Sequence, residues 1–161
     1  MAQRTAPTLA QNKPKSGLTL PKGTIFVPDP NSNETLIFLA KAQSFDTPSD
    51  RIATNLLMDY MGAYQGSEMF RIIRQERRAA YDPRTEFRHL GKERGLLSLS
   101  ATVTAEKWPE ILSVMKDIYT NTRNGEVSKT GLQNNQRRLL NGYEYNFVTN
   151  PTWGARHFLA E

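Results

Sequence analysis

Cysteine is absent from the 161-residue sequence, which excludes disulfides, thiolate metal sites and cysteine nucleophiles. Histidine is scarce, because only His89 and His157 are present and neither belongs to an H-x-x-E-H motif. Since a zinc site normally needs three or four His, Cys or carboxylate ligands, we expect no metal site formed by this chain alone. No apolar run approaches the ~18 residues of a membrane span. No apolar stretch follows Met1, so a signal peptide is not expected either.

Acidic residues are missing from the first 22 positions, where Arg4, Lys13, Lys15 and Lys22 account for most of the net charge of +5. The remaining sequence is nearly balanced in charge. Nucleic-acid-binding domains usually concentrate positive charge on the fold itself, so this distribution does not favour a nucleic-acid partner. Residues 1–22 also lack hydrophobic periodicity, which predicts a flexible leader or linker before a single domain at 23–161.

The rest of the sequence predicts strands that alternate with pairs of helices. The expected strands cover 23–27, 34–42, 81–89 and 95–103, and the expected helices begin near Thr47-Pro48, Ser67, Trp108, Ser128 and Asn150-Pro151. In the fourth strand, residues 97, 99, 101 and 103 are apolar, as expected when only one face is buried. The order β-β-α-α-β-β-α-α-α indicates an α+β fold of two layers, with an antiparallel sheet covered on one face by helices.

In the first helix, Thr47 is the expected N-cap and Pro48 fits the first turn. The apolar residues predicted to face the core from this helix are Ile52, Leu56, Leu57, Tyr60 and Met61. Gly62 is a plausible residue for its C-terminal cap.

A basic stretch follows this helix. Eight basic residues lie between positions 71 and 94, and four acidic residues in the same interval offset half of them. Such a mixture is typical of a solvated helix face with salt bridges. A nucleic-acid-binding role for these arginines is the less favoured alternative.

Arg74 and Tyr81 form the most interesting pair in this stretch, because we expect them at the end of the second helix and the start of the next strand. An arginine offers several fixed donors and keeps its charge at neutral pH. A tyrosine hydroxyl is a further donor on a rigid arm. Together they could bind a peptide carbonyl or a developing oxyanion without acting as nucleophiles.

Residues 61–81 resemble the second, non-catalytic domain of the insulinase–pitrilysin family of zinc peptidases. The family pattern is L-G-G-x-x-S-S-R-L-F, three residues, R-E, and a tyrosine seven residues after that arginine. Met61-Gly62, Ser67, Phe70, Arg74 and Tyr81 keep this register without a gap. The resemblance extends over about 23–161, from the opening strand and proline turn to the helices that begin near Trp108 and Ser128.

Several positions depart from the family pattern. Glu68 replaces the usual arginine, Gln75 replaces the usual acid, and Arg78-Ala79-Ala80 stands where the family has Gly-Leu-Ala. The family domain also continues into a further helix and a closing strand, so we expect the domain in this chain to be incomplete at its C-terminus.

The resemblance implies a domain that is inactive by itself, since the zinc motif H-x-x-E-H of the family lies in the other domain. It implies no cofactor in this chain, with zinc held by a partner domain or subunit, and a chamber for unfolded peptides between the two halves. By the same resemblance, Arg74 binds a substrate carbonyl near the scissile bond. Tyr81 donates to the same region or stabilises the tetrahedral intermediate. The compartment is unknown, with the bacterial periplasm weakly favoured by analogy.

Two other roles remain open at this point. Relatives with the same fold serve as structural core subunits of assemblies, in which the arginine and the tyrosine have no function. The second alternative is the basic nucleic-acid-binding module considered above.

Overall fold

The computed structural model describes residues 31–90 and 94–150, together with residues 23, 25, 27, 29 and 152. The elements in this part of the chain are β1 (Glu34–Ser44), α1 (Pro48–Gly62), α2 (Phe70–Glu76), β2 (Arg84–His89), β3 (Arg94–Thr104), α3 (Trp108–Arg123) and α4 (Lys129–Thr149). The strand predicted at 23–27 and the helix predicted after Pro151 lie largely outside the described residues.

The three strands form one antiparallel sheet in the order β1-β3-β2, so β3 is the central strand. The alternation predicted for β3 is confirmed: the side chains that face the helices are buried, namely Leu97, Leu99, Ala101 and Val103. On the opposite face, β1 exposes Leu36 and Phe38. The predicted α+β fold, with helices on one face of an antiparallel sheet, is therefore confirmed.

The hydrophobic core lies between this sheet and the helices. Ile111 and Met115 of α3 are completely buried because the apolar residues recur every three or four positions along one side of the helix. Ile73 of α2 and Met69, which precedes α2, are also completely buried. Burial of these four side chains therefore fixes α3 and α2 on the same layer of the domain.

Helix α1 begins as predicted. The hydroxyl of Thr47 accepts the Asp50 amide, and the Asp50 carboxylate accepts the Thr47 amide at 2.9 Å, so both halves of a capping box are present. The predicted apolar stripe is wrong at Ile52, which is 67% exposed. The buried residues of α1 all lie at 58–62, because it is the C-terminal half of the helix that packs against β2. There, the Thr85 hydroxyl donates to the Met58 carbonyl at 2.7 Å.

Helix α4 packs against α1 through partly buried polar contacts. Its N-cap residue is Ser128, as predicted, and the Ser128 amide donates to the Tyr60 hydroxyl at 3.1 Å. The completely buried Asn135 donates to the Leu56 carbonyl at 3.1 Å. One turn later, Arg138 forms an ion pair with Asp59. These contacts fix α4 to α1 although the buried area of α4 is modest.

The buried hydroxyl of Tyr60 gives the domain an alkaline limit to its stability. Burial raises the pKa of Tyr60 above its ordinary value of 10.0, although the hydrogen bond from Ser128 opposes this rise. The folded domain therefore holds this proton more tightly than the unfolded chain does. The resulting stabilisation is complete below pH 10 and is lost as the pH rises through the pKa of the folded state.

We expect Tyr60→Phe to lower the free energy of unfolding by about 1–2 kcal/mol at neutral pH, since the Ser128 amide loses its acceptor. The variant should then lose less stability than the wild type between pH 9 and pH 11. Urea unfolding at several pH values measures both effects. Equal losses of stability in the two proteins would contradict the assignment to Tyr60.

Candidate functional site

The candidate site is built around α2 and the segment 77–83 that joins it to β2. Helix α2 is a π-helix, as the Arg77 amide donates to the Ile72 carbonyl five residues earlier, at 3.1 Å. Such wide turns are rare in proteins, and many of those that do occur lie at functional sites. The helix ends at Glu76, and Arg74 lies in its last turn, near the helix end as predicted.

Arg78 ends this turn with a backbone conformation that is unusual for an arginine. Its φ angle is +50°, in the left-handed region that glycine adopts most easily. The next residue, Ala79, donates its amide to the Ile73 carbonyl at 2.9 Å, which closes the end of the helix. The chain is thereby redirected from α2 toward the C-terminal end of β3.

The strand predicted to begin at Tyr81 in fact begins at Arg84. Pro83 has no amide to donate to a β-ladder, so regular pairing with β3 stops there. Before it, the Asp82 carboxylate takes the place of a backbone acceptor and binds the Thr102 amide at 3.2 Å. Ala80 pairs with Val103 in an isolated bridge. Tyr81 is therefore held between two neighbours that are both attached to β3.

The structure brings Arg74 and Tyr81 together, as the sequence analysis expects. The Arg74 Nη1 donates to the Tyr81 carbonyl at 2.8 Å. The Arg74 Cζ lies 4.0 Å from the ring centroid of Tyr81 and 4.8 Å from that of Phe70. A planar guanidinium in contact with two rings has its orientation fixed, so the remaining donors keep a defined direction.

Both side chains border the same concave surface, a shallow groove of about 610 Å³ at one end of the sheet. Its wall is formed by residues from β1, α2, the connecting segment and β3: Glu34, Arg74, Arg78, Ala79, Ala80, Tyr81, Asp82, Thr102, Val103 and Thr104. The Tyr81 side chain is exposed, and its hydroxyl has no hydrogen-bond partner among the described residues. The groove therefore presents free donors from a guanidinium and from a phenol.

Sequence reasoning missed three contributors to this site. Phe70 is predicted only as a position of the family pattern, Arg78 only as a departure from that pattern, and Asp82 has no predicted role. The sequence Asp82-Pro83 was the available signal for Asp82, because a proline interrupts the ladder and leaves an amide of the partner strand to be satisfied. No pattern in the sequence indicated that Phe70 would contact Arg74.

Two other arginines of the basic stretch are neutralised. Arg71 forms ion pairs with Glu68 at 2.6 Å and Glu76 at 2.5 Å, and Arg77 pairs with Glu110. Salt bridges on a solvated helix face are what the charge pattern predicted. These ion pairs occupy the charges of Arg71 and Arg77, whereas Arg74 and Arg78 have no ion pair with any described residue.

The described residues contain no cluster of three or more His, Asp or Glu side chains that could hold a metal ion. His157 lies outside the described residues. Within the described part of the chain, no helix has the length and hydrophobicity needed to cross a bilayer.

Comparison with known proteins relates the chain to a family. The sequence model described as "Peptidase M16 inactive domain" matches residues 3–139 of the chain. No curated protein matches the sequence.

Two solved structures have a similar fold. The crystal structure of a peptidase M16 inactive domain from Pseudomonas fluorescens aligns with a TM-score of 0.62 and 20% identity, over 70% of this chain and 27% of that one. A conserved protein from Enterococcus faecalis V583 aligns with a TM-score of 0.61 and 18% identity, over 76% of this chain and 29% of that one. The chain thus spans less than a third of either protein. The match of the family model over most of the sequence confirms the resemblance to the non-catalytic insulinase–pitrilysin domain, and the chain belongs to the peptidase M16 inactive domain family.

Proposed function

We propose that this domain binds unfolded peptides in the groove of Arg74 and Tyr81 and closes a chamber opposite a zinc-bearing H-x-x-E-H domain. The observation that carries the proposal is the fixed pair of donors, Arg74 and Tyr81, on one concave surface. Membership in a family of inactive peptidase domains supports it. The domain then contributes to proteolysis by binding, and is not an enzyme by itself.

The chemistry of the two donors suits a peptide carbonyl. A guanidinium donates two parallel hydrogen bonds, and the hydroxyl of Tyr81 can donate a third to the same oxygen or to its neighbour. Both contacts become stronger when the carbonyl oxygen gains negative charge. Because Arg74 is already held by two rings and a carbonyl, little side-chain entropy remains to be lost on binding.

The hydrolytic chemistry is assigned to the partner. In the proposed assembly, the zinc-bearing domain supplies the activated water and this chain supplies carbonyl binding and one wall of the chamber. The shallow form of the groove fits this division, since a groove that is open on one side needs a second surface to exclude water.

Reconstitution tests the proposal. The chain and the zinc-bearing H-x-x-E-H domain encoded with it are purified separately and assayed alone and mixed, with an unfolded peptide as substrate. We expect cleavage only in the mixture, and no stoichiometric zinc in this chain by metal analysis. One tightly held zinc per chain, or full activity of the zinc-bearing domain alone, would refute the proposal.

A structural role in an assembly is the second candidate. Exposed apolar side chains on α4 favour it: Leu140 is 64% exposed and Val148 is 80% exposed. Such residues are typical of surfaces that another protein covers. The same mixture distinguishes the two roles. A structural subunit still forms the complex with the zinc-bearing domain, but substitution of Arg74 or Tyr81 then changes neither peptide cleavage nor peptide binding.

A further inference from the structure

We propose that Arg78 makes the groove selective for peptides that carry an acidic side chain next to the bound carbonyl. This inference rests on the proposed function, because it names the class of peptide that the same groove accepts. It depends on three features of Arg78: its place in the wall of the groove, its backbone conformation and its lack of a charge partner.

The backbone of Arg78 indicates that its position is fixed by the surrounding structure. A φ angle of +50° is unfavourable for an arginine, whereas glycine adopts it without a steric conflict. The strained conformation is maintained by the contacts on either side, from Ala79 to Ile73 and from Ala80 to Val103. Strained residues of this kind are concentrated at functional sites. The side chain therefore leaves the backbone at a defined point of the groove.

The charges around Arg78 point to an anionic ligand. Its neighbours Arg71 and Arg77 are paired with glutamates, whereas Arg78 has no ion pair with any described residue. Of the two acids in the wall, Asp82 accepts the Thr102 amide, and neither Asp82 nor Glu34 forms an ion pair with Arg78. Arg78 is thus a cation without an ion-pair partner among the described residues, beside the donors of Arg74.

A carboxylate is the natural partner of this cation. Glutamate or aspartate in an extended peptide can place its carboxylate on the Arg78 guanidinium, in a charge-assisted pair, while the peptide carbonyl binds Arg74. Since Arg78 is exposed, the gain in affinity should be moderate and should decrease with salt.

Binding of two matched peptides tests the inference. Fluorescence anisotropy measures the affinity of the full chain for a labelled unfolded peptide with one central Glu and for its Gln counterpart. We expect about fivefold tighter binding of the Glu peptide at low salt. Arg78→Gly, which suits the local backbone, should remove this preference, so that the Glu and Gln peptides bind with equal affinity. Arg137→Ala removes the same charge from an exposed part of α4 and should keep the preference.

The outcomes separate this inference from the proposed function. Equal binding of both peptides by the wild type, or a preference that persists in Arg78→Gly, overturns the role of Arg78 and leaves peptide binding intact. If neither peptide binds, the proposed function fails together with the inference. Circular dichroism of Arg78→Gly shows whether the variant is folded, and Arg78→Lys, which keeps the charge, should retain part of the preference.

Discussion

Replacement of Gly62 by alanine is expected to destabilise the domain by about 2–3 kcal/mol, close to the upper end for overpacking by a single methyl group. A Cβ atom at this position would lie 2.7 Å from the Thr85 Cγ2, 2.8 Å from the Thr85 backbone nitrogen and 3.0 Å from the Met69 sulfur. The side chain of Met69 can adjust, but the backbone of Thr85 cannot move easily. Thr85 belongs to β2, and its hydroxyl donates to the Met58 carbonyl.

Gly142 offers a matched control for this prediction. It lies in the interior of α4, and a Cβ there would meet no atom within 4 Å. Gly142→Ala should therefore stabilise the domain by about 0.5–1 kcal/mol, since alanine loses less conformational freedom than glycine in a helix. Urea unfolding of both variants measures the two changes. Shifts of the same sign would contradict the close approach of α1 to β2.

The close approach of α1 to β2 at Gly62 also affects how the candidate site is held in place. It holds β2 against α1 at Thr85, one residue after the start of the strand. The segment that carries Tyr81 ends at Pro83, directly before this strand. We therefore expect Gly62→Ala to loosen the groove as well, so peptide binding by this variant should weaken before the domain unfolds globally.

Much of the fold could be predicted from the sequence because its signals are local. The helix predicted to begin near Trp108 is observed as α3, which begins at that residue. Thr47 and Ser128 are N-caps as predicted, since capping depends on residues within one turn. In these elements the hydrophobic pattern and the capping chemistry agree, so tertiary packing altered the predicted elements little.

The predictions are wrong where contacts between residues distant in the sequence determine the local structure. Ile52 has the correct helical spacing for burial, but periodicity cannot show how much of α1 extends beyond β2. The segment from Tyr81 to His89 has a β-prone composition, yet pairing with β3 begins only at Arg84. The cause is Pro83 together with the carboxylate of Asp82, whose partner Thr102 is distant in the sequence. The π-helical form of α2 likewise has no sequence signal that we recognise.

The sequence predicts which two residues form the candidate site, but it does not predict how their side chains are arranged. The residue types predict the donors of Arg74 and Tyr81, and the family resemblance implies that both contact substrate. Neither source indicated that Arg74 would stack on Tyr81 and Phe70, because this arrangement depends on the left-handed turn at Arg78. The stacking determines which donors of Arg74 remain available to a ligand.

In the proposed assembly with a zinc-bearing domain, Arg74→Ala is expected to reduce peptide turnover by roughly 10²–10³-fold, the effect of removing a donor from a developing oxyanion. The same change removes the guanidinium that contacts the ring and carbonyl of Tyr81, so it disturbs both donors. Arg74→Lys keeps the charge but lacks the planar fork, and should not restore activity. Arg77→Ala, on the same helix but paired with Glu110, is the control and should leave turnover unchanged.

Tyr81→Phe isolates the contribution of the hydroxyl. The phenylalanine ring can keep its contact with Arg74, and the Tyr81 side chain is 79% exposed, so folding should be unaffected. We expect turnover of an unfolded peptide to decrease by about 10²-fold, with little change in KM if the hydroxyl acts mainly on the tetrahedral intermediate. Steady-state kinetics of the proposed assembly measures both parameters. Wild-type cleavage by both Arg74→Ala and Tyr81→Phe would remove the two residues from the mechanism and favour the structural role.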